Sequence, residues 1–89
     1  MISSINTIFE HDGKKYHLQA EDLGEEIASY EVRVYDQGTV LWLKRLSYSE
    51  LEAKKLPKQE HDHELRAAME KTLLTVGAAI AKGKIGPLT

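Results

Sequence analysis

The residue pattern of this 89-residue chain changes once, near Ser47. Before Ser47, β-branched and aromatic residues alternate with polar residues, a pattern typical of strands that bury one face. After Ser47, Glu, Lys, Ala and Leu recur at helical spacing. No repeat, low-complexity tract or linker divides the sequence. The pattern therefore predicts one domain over residues 1–89, of the α+β class, with its strands first and its helices last.

A two-residue turn at Asp12-Gly13 predicts the first β-hairpin, because both loop positions need positive φ and these residues tolerate it. The predicted strands cover about residues 3–11 and 14–21. Closing the turn there gives one largely apolar face, whose cross-strand pairs are Ile5–Ala20, Thr7–Leu18 and Phe9–Tyr16.

A second two-residue turn at Gln37-Gly38 predicts another hairpin, with strands over about residues 27–36 and 39–47. The tight turn gives one face with the pairs Tyr30–Arg45, Val32–Leu43 and Val34–Leu41. The opposite face has the pairs Glu31–Lys44, Arg33–Trp42 and Tyr35–Val40. Between the hairpins, the acidic segment 21–26 is predicted to be a solvated loop. The two antiparallel hairpins are expected to form one four-stranded sheet, whose strand order stays open.

Two helices are predicted after the strands. Ser49 and Glu52 fit a capping box that opens a short helix over about residues 49–56, which ends at the following proline. A long C-terminal helix covers about residues 59–82, and a flexible tail follows over residues 83–89. The predicted architecture is therefore β-β-β-β-α, with the long helix packed on the sheet.

The long helix carries two apolar stripes. The first is expected to cover the sheet and contains Leu65, Ala68, Met69, Thr72, Leu73, Val76, Ala79 and Ile80. The second lies on the reverse side of the helix, within an arc of about 60°, and contains Ala67, Leu74, Ala78 and Ala81. Alanine is the best helix former, which is one explanation of the second stripe. The other explanation is an interface with a second copy of the chain about a two-fold axis.

The predicted outer face of the second hairpin combines aromatic and basic side chains: Arg33, Tyr35, Trp42 and Lys44. In the simplest interpretation, Trp42 shields its own sheet and Arg33 lies over it. The same residue types are frequent anchors of protein interfaces. They also suit single-stranded nucleic acid, whose bases stack on aromatic rings between basic side chains.

A metal site is considered at residues 60–64, where His61 and His63 lie among carboxylates. On a helix these two histidines point about 200° apart and cannot hold one ion together. The acidic residues then serve as a solvated helix start. We therefore predict no metal and no cofactor, with His61 and His63 as the residues to test.

Composition excludes several classes of function. The chain contains no cysteine, which removes thiolate catalysis, disulfides and cysteine-based zinc sites. It has no nucleophile elbow and no phosphate-binding loop, so we predict that it is not an enzyme. Neither a signal peptide nor a membrane span is apparent, and a cytoplasmic location is expected.

The sequence therefore predicts a small non-catalytic interaction module that forms a homodimer. It is expected to bind another protein through the aromatic and basic strand face or through the helix surface. The alternatives are a single-stranded nucleic-acid binding protein that uses Arg33, Tyr35, Trp42 and Lys44, and a metal-binding protein that uses His61 and His63.

Overall fold

The computed structural model describes residues 4–85. This part of the chain forms β1 (Ser4–His11), β2 (Lys14–Asp22), β3 (Ser29–Asp36), β4 (Thr39–Ser47), α1 (Ser49–Ala53) and α2 (Lys58–Ala81). The strands make one antiparallel sheet in the order β1-β2-β3-β4. The predicted α+β class and element order are confirmed.

The first hairpin has the predicted turn and register. Asp12 and Gly13 both have positive φ, at 52° and 75°. Phe9 pairs with Tyr16 and Ile5 pairs with Ala20, as the turn requires. Since one register pairs the whole length of both strands, the alternation of β1 places Ile5 and Phe9 on the helix side of the sheet.

The second hairpin has the predicted turn at Gln37-Gly38, but most of its predicted register is wrong. Tyr35 pairs with Val40 as expected, and a β-bulge then shifts the pairing by one residue. The bulge places the extra residue Leu41 on β4, so the observed pairs beyond it are Val34–Trp42, Arg33–Leu43, Val32–Lys44, Glu31–Arg45 and Tyr30–Leu46. The predicted pairs Arg33–Trp42, Glu31–Lys44, Val34–Leu41, Val32–Leu43 and Tyr30–Arg45 are not formed. A shift of one residue moves each later β4 side chain to the opposite face.

The core lies between α2 and one face of the sheet. The predicted first stripe of α2 is confirmed, since its large residues Leu65, Met69, Leu73, Val76 and Ile80 are all buried. They pack against buried residues of β2 and β3, namely Tyr16, Leu18, Ala20, Tyr30, Val32 and Val34. The opposite face of the sheet is not covered by either helix, and this uncovered side is called the outer face below.

The two ends of the chain and several element boundaries differ from the predictions. β3 begins at Ser29, because residues 24–28 form a turn closed by the Ala28 N–H, which donates to the Gly24 carbonyl at 2.8 Å. α1 ends at Ala53 and α2 covers one residue more at its start than predicted. In the predicted tail, Ile85 packs against the core, while residues 86–89 and the predicted strand start at residue 3 lie outside the described residues.

The predicted capping box of α1 is wrong. The residue before the helix is Tyr48, whose side chain makes no capping hydrogen bond. The Ser49 N–H donates to the Ser47 hydroxyl at 3.2 Å, and Glu52 meets the imidazole of His61 on α2. Tyr48 is buried, and its hydroxyl donates to Asp22 at 2.6 Å. Burial and this hydrogen bond raise the pKa of the Tyr48 phenol. Asp22 belongs to the acidic segment 21–26, which is therefore partly bonded to the body of the protein rather than solvated throughout.

The Tyr48–Asp22 hydrogen bond gives a first testable prediction. We expect Tyr48→Phe to lower the free energy of unfolding by about 1–2 kcal/mol, because the carboxylate loses a charge-assisted hydrogen bond while the buried ring is kept. Urea unfolding followed by circular dichroism measures the loss. Tyr35→Phe, on the outer face, is the matched control and is expected to cost less, since Tyr35 lies less deeply buried. Equal losses in the two variants contradict the prediction.

In the described residues, neither helix has the length and apolar character needed to cross a bilayer.

Candidate functional site

The outer face presents one row of side chains that runs across all four strands. The register joins Ile8, His17, Tyr35 and Val40, and the rings of His17 and Tyr35 lie 5.9 Å apart. Ile8 and Val40, at the two ends of the row, are exposed. The row is therefore aromatic in the middle and aliphatic at both edges of the sheet.

The structure does not bring the four predicted binding residues onto one face. Arg33 and Tyr35 lie on the outer face, as expected. Trp42 pairs with Val34 and packs, half-buried, against the core, and Lys44 pairs with the buried Val32. The bulge at Leu41 is the physical reason, because it reverses the direction of every later β4 side chain. The predicted aromatic and basic surface is therefore wrong for Trp42 and Lys44, which do not share a face with Arg33 and Tyr35.

The guanidinium of Arg33 is already engaged by its neighbours. It donates to the Tyr35 hydroxyl at 3.1 Å and to a Glu21 carboxylate oxygen, and its Nε lies 3.1 Å from Glu31. Arg45 lies 3.4 Å from the second oxygen of Glu31. The hydrogen bond to Tyr35 raises the pKa of Arg33 against the effect of burial, and Glu21 adds to it. The outer face at this position is thus a charge network in which Arg33 already has two carboxylate partners.

The two edges of the sheet differ in how they are protected. The β4 edge has the bulge at Leu41 and two basic side chains, Lys44 and Arg45. Proteins use these same devices to prevent an edge strand from pairing with another chain. The β1 edge has none of them from Ser4 to Phe9, a stretch without charge or proline. The backbone of β1 is therefore the open edge of this sheet.

A groove of about 580 Å³ runs along the open β1 edge, between that strand and α2. Its strand side includes Ile5, Thr7 and Phe9, and its helix side includes Leu74 and Gly77. Leu74 is 78% exposed, the highest fraction among the large hydrophobic residues of the described chain. Within residues 4–85, an exposed apolar helix side chain thus lies beside a strand edge that pairs with no further strand.

The second stripe of α2 meets this groove at Leu74. Its members Ala67, Leu74, Ala78 and Ala81 are all exposed. Leu74 and Gly77 are three residues apart and share a side of the helix, and Gly77 faces the Phe9 ring on β1. Leu74 is therefore on the flank of α2 that lies above the β1 edge, whereas the three alanines of the stripe do not line the groove. We call the combined surface of β1 and this helix flank the edge surface.

A second cluster, of one histidine and two glutamates, lies where α1, α2 and the 24–28 turn meet. One ligand-type atom from each of Glu25, Glu52 and His61 lies within 4.8 Å of the others. His61 is 8% exposed, whereas the second predicted metal candidate, His63, is exposed and outside the cluster. Burial lowers the pKa of His61, but the hydrogen bond to Glu52 and the nearby Asp62 carboxylate outweigh it, so that the pKa is raised.

Sequence reasoning missed part of both sites. The uncharged stretch from Ser4 to Phe9 was a readable signal for an unprotected edge, once β1 is known to be an edge strand. No local signal joins Glu25 to Glu52 and His61, because the three residues come from separate elements that meet only in the fold.

Comparisons with known proteins do not identify a family: no protein-family model, curated protein or solved structure shows a significant match to this chain.

Proposed function

We propose that the protein is a non-catalytic interaction module that forms a homodimer through the edge surface. The observation that carries the proposal is the uncharged, unprotected β1 edge beside the exposed Leu74. Addition of a strand to a sheet edge is a common mode of protein recognition, in which the backbone gives affinity and side chains give specificity. A second copy supplies both the strand and the helix flank that such a surface needs.

The sequence of β1 is complementary to itself in the antiparallel direction. With a two-fold axis at Thr7, Ile5 of one copy faces Phe9 of the other on the helix side of the sheet. On the outer face, Asn6 faces Ile8. No like charges are opposed in this register, since Glu10 faces Ser4.

Magnitudes indicate that the helix flank decides whether the dimer is stable. Pairing of two such strands adds several backbone hydrogen bonds, each worth about 0.5–1.5 kcal/mol. Association costs about 4–15 kcal/mol, so strand pairing alone roughly breaks even. Burial of Leu74 in both copies adds about 1.5–3 kcal/mol per leucine.

The charged pair on the same flank supports a second copy as the partner. Arg66 and Glu70 line the groove and form an i,i+4 ion pair at 2.8 Å within one chain. Because the two charges compensate each other within one chain, they bring no net charge to a contact between two copies of this flank.

The other predictions remain proposals of different weight. Binding of a further protein is assigned to the outer face, where Val40 and Leu43 are exposed at the edge of the sheet away from the proposed dimer interface. Binding of single-stranded nucleic acid is the weaker proposal, because Arg33 and Tyr35 do not share a face of the sheet with Trp42 and Lys44. A cytoplasmic location stays part of the proposal.

The decisive test places a charge on the open edge. Thr7 is exposed and lines the groove, so Thr7→Lys leaves the monomer folded while it opposes two lysines across the two-fold axis. Like charges opposed in an interface cost several kcal/mol, and we expect the dimer to weaken by about 100-fold or more. Sedimentation velocity over a range of concentrations measures the change. Thr39→Lys, the same substitution on the β4 edge, is the matched control and leaves dimerisation unchanged.

Two results would contradict the proposal. Wild-type protein that sediments as a monomer at all concentrations overturns the homodimer. A dimer that survives Thr7→Lys but dissociates in Thr39→Lys assigns the interface to the opposite edge of the sheet.

A further inference from the structure

We propose that Glu25, Glu52 and His61 form a binding site for a divalent first-row metal ion such as Zn²⁺. This inference is independent of the edge surface, since it concerns other residues at the junction of α1, α2 and the 24–28 turn. One imidazole nitrogen and two carboxylates are a ligand set that such ions accept in proteins.

The geometry is close to that of a coordination shell. The three ligand atoms lie within 4.8 Å of one another, and His61 Nε2 already meets Glu52 Oε1. In a tetrahedral zinc site with bond lengths near 2.1 Å, neighbouring ligand atoms lie about 3.4 Å apart. Glu25 is exposed and Glu52 half-buried, so rotamer changes in these two long side chains can close the remaining gap. Three protein ligands leave at least one position of the ion open to water.

His61 is held as a metal-binding histidine is held. Its buried ring stands edge-on to the Tyr48 ring, with centroids 6.1 Å apart and an interplanar angle of 70°. Its Nδ1 lies 3.6 Å from Asp62 Oδ1, while Nε2 points to the cluster. In metal sites a carboxylate hydrogen-bonded to the second ring nitrogen fixes the ring and directs the other nitrogen to the ion, and Asp62 lies close enough to His61 to make that bond after a small side-chain movement.

The charge around the cluster favours a cation. The adjoining cleft of about 260 Å³ carries the carboxylates of Asp22, Glu25 and Glu26, and Glu52 stands at the cluster itself. Lys58 is the one lysine among the described residues that line the cleft. His61 lies near the start of α2, whose N-terminal end acts as a partial positive charge of about half a unit. Several full negative charges outweigh this partial charge, so the local field attracts a divalent ion.

Titration of the full chain with zinc chloride in a calorimeter, after removal of bound metal by chelation, tests the site. We expect one ion per chain and a loss of affinity of at least 10-fold in Glu25→Gln, which keeps the size of an exposed side chain. His61→Ala is expected to lose more than 100-fold in zinc affinity. Far-ultraviolet circular dichroism of this variant reports whether it still folds. The matched controls are Glu26→Gln, at the neighbouring carboxylate of the cleft, and His63→Ala, at an exposed histidine outside the cluster. Both variants are expected to bind zinc with the affinity of the wild type.

The outcomes separate the proposal from its rivals. The absence of stoichiometric zinc binding overturns it. Equal losses in Glu26→Gln and Glu25→Gln also overturn it, because they indicate diffuse attraction to an acidic surface. Thr7→Lys is expected to bind zinc as the wild type does, so a failure of the dimer proposal leaves this test unaffected.

Discussion

Replacement of Leu65 by alanine is expected to lower the free energy of unfolding by about 2–5 kcal/mol, whereas Leu74→Ala changes the stability of the monomer by less than about 0.5 kcal/mol. The two leucines lie on one helix, so the substitution changes intrinsic helix propensity equally. They differ in burial, since Leu65 is 1% exposed and Leu74 is mostly exposed.

The expected loss at Leu65 has two causes. The removed carbon atoms no longer gain free energy from leaving water, and the cavity that remains loses its van der Waals contacts. Leu65 is among the largest side chains that are fully buried, in a core shared by α2, β2 and β3. For a small domain with a total stability of about 5–15 kcal/mol, a loss of this size removes a large share of the folded population at moderate temperature.

Urea unfolding at low micromolar concentration, in a Thr7→Lys background, measures both leucine variants without any contribution from dimerisation. In the background with Thr7, Leu74→Ala is instead expected to weaken association, since Leu74 belongs to the edge surface. Comparable losses of monomer stability at the two positions would show that Leu74 is part of the core and would remove it from the proposed interface.

Gly77→Leu is expected to destabilise the fold by about 2 kcal/mol, although leucine is the better helix former. The position meets the Phe9 ring at close range: a Cβ atom built on Gly77 lies 3.1 Å from Phe9 Cδ1 and Cε1. This distance is shorter than an ordinary van der Waals contact between carbon atoms. A leucine side chain must therefore push the ring aside or lift α2 from β1, and the cost of overpacking exceeds the gain in helix propensity.

A second substitution tests whether the ring is the cause. Phe9→Ala vacates the space opposite Gly77. The double variant Phe9→Ala/Gly77→Leu is therefore expected to lose less free energy of unfolding than the sum of the two single losses, by at least about 1 kcal/mol. Ala78→Leu, on the next and exposed position of α2, is the control for helix propensity and leaves stability within about 0.5 kcal/mol. Strict additivity of the losses at Phe9 and Gly77 would place the clash elsewhere.

The first hairpin shows which parts of this fold the sequence predicts. Asp12-Gly13 selects a two-residue turn, and the flanking strands alternate cleanly, so turn chemistry and hydrophobic pattern agree on one register. The long helix is similarly determined, because its buried residues recur at helical spacing over several turns.

The second hairpin shows where the same reasoning fails. β4 is apolar at every position from Val40 to Leu43, so alternation cannot decide which residues face the core. The predicted register of this hairpin therefore rests on the turn alone, and a turn carries no information about a bulge several residues away. Packing decides the outcome: the bulge at Leu41 turns Trp42 and Leu46 toward the core and leaves Leu43 and Arg45 outside.

The candidate sites depend on contacts that the sequence does not encode locally. Strand order determines that β1 is an edge, and the position of α2 determines that Leu74 lies beside that edge. The residue Glu52 was expected to cap its own helix and instead reaches a histidine on the next one. Such long-range partners follow from the assembled tertiary structure, which single-sequence patterns do not contain.

The unequal edges of the sheet also limit how far this chain can polymerise. Two copies joined through β1 place a β4 strand at each outer end of the combined sheet. Both ends then carry the bulge and the basic pair Lys44 and Arg45, so a third copy finds no flat uncharged strand to extend. A chain with one open edge thus forms a closed dimer instead of a fibril. At high protein concentration we expect the dimer to be fully populated without larger assemblies.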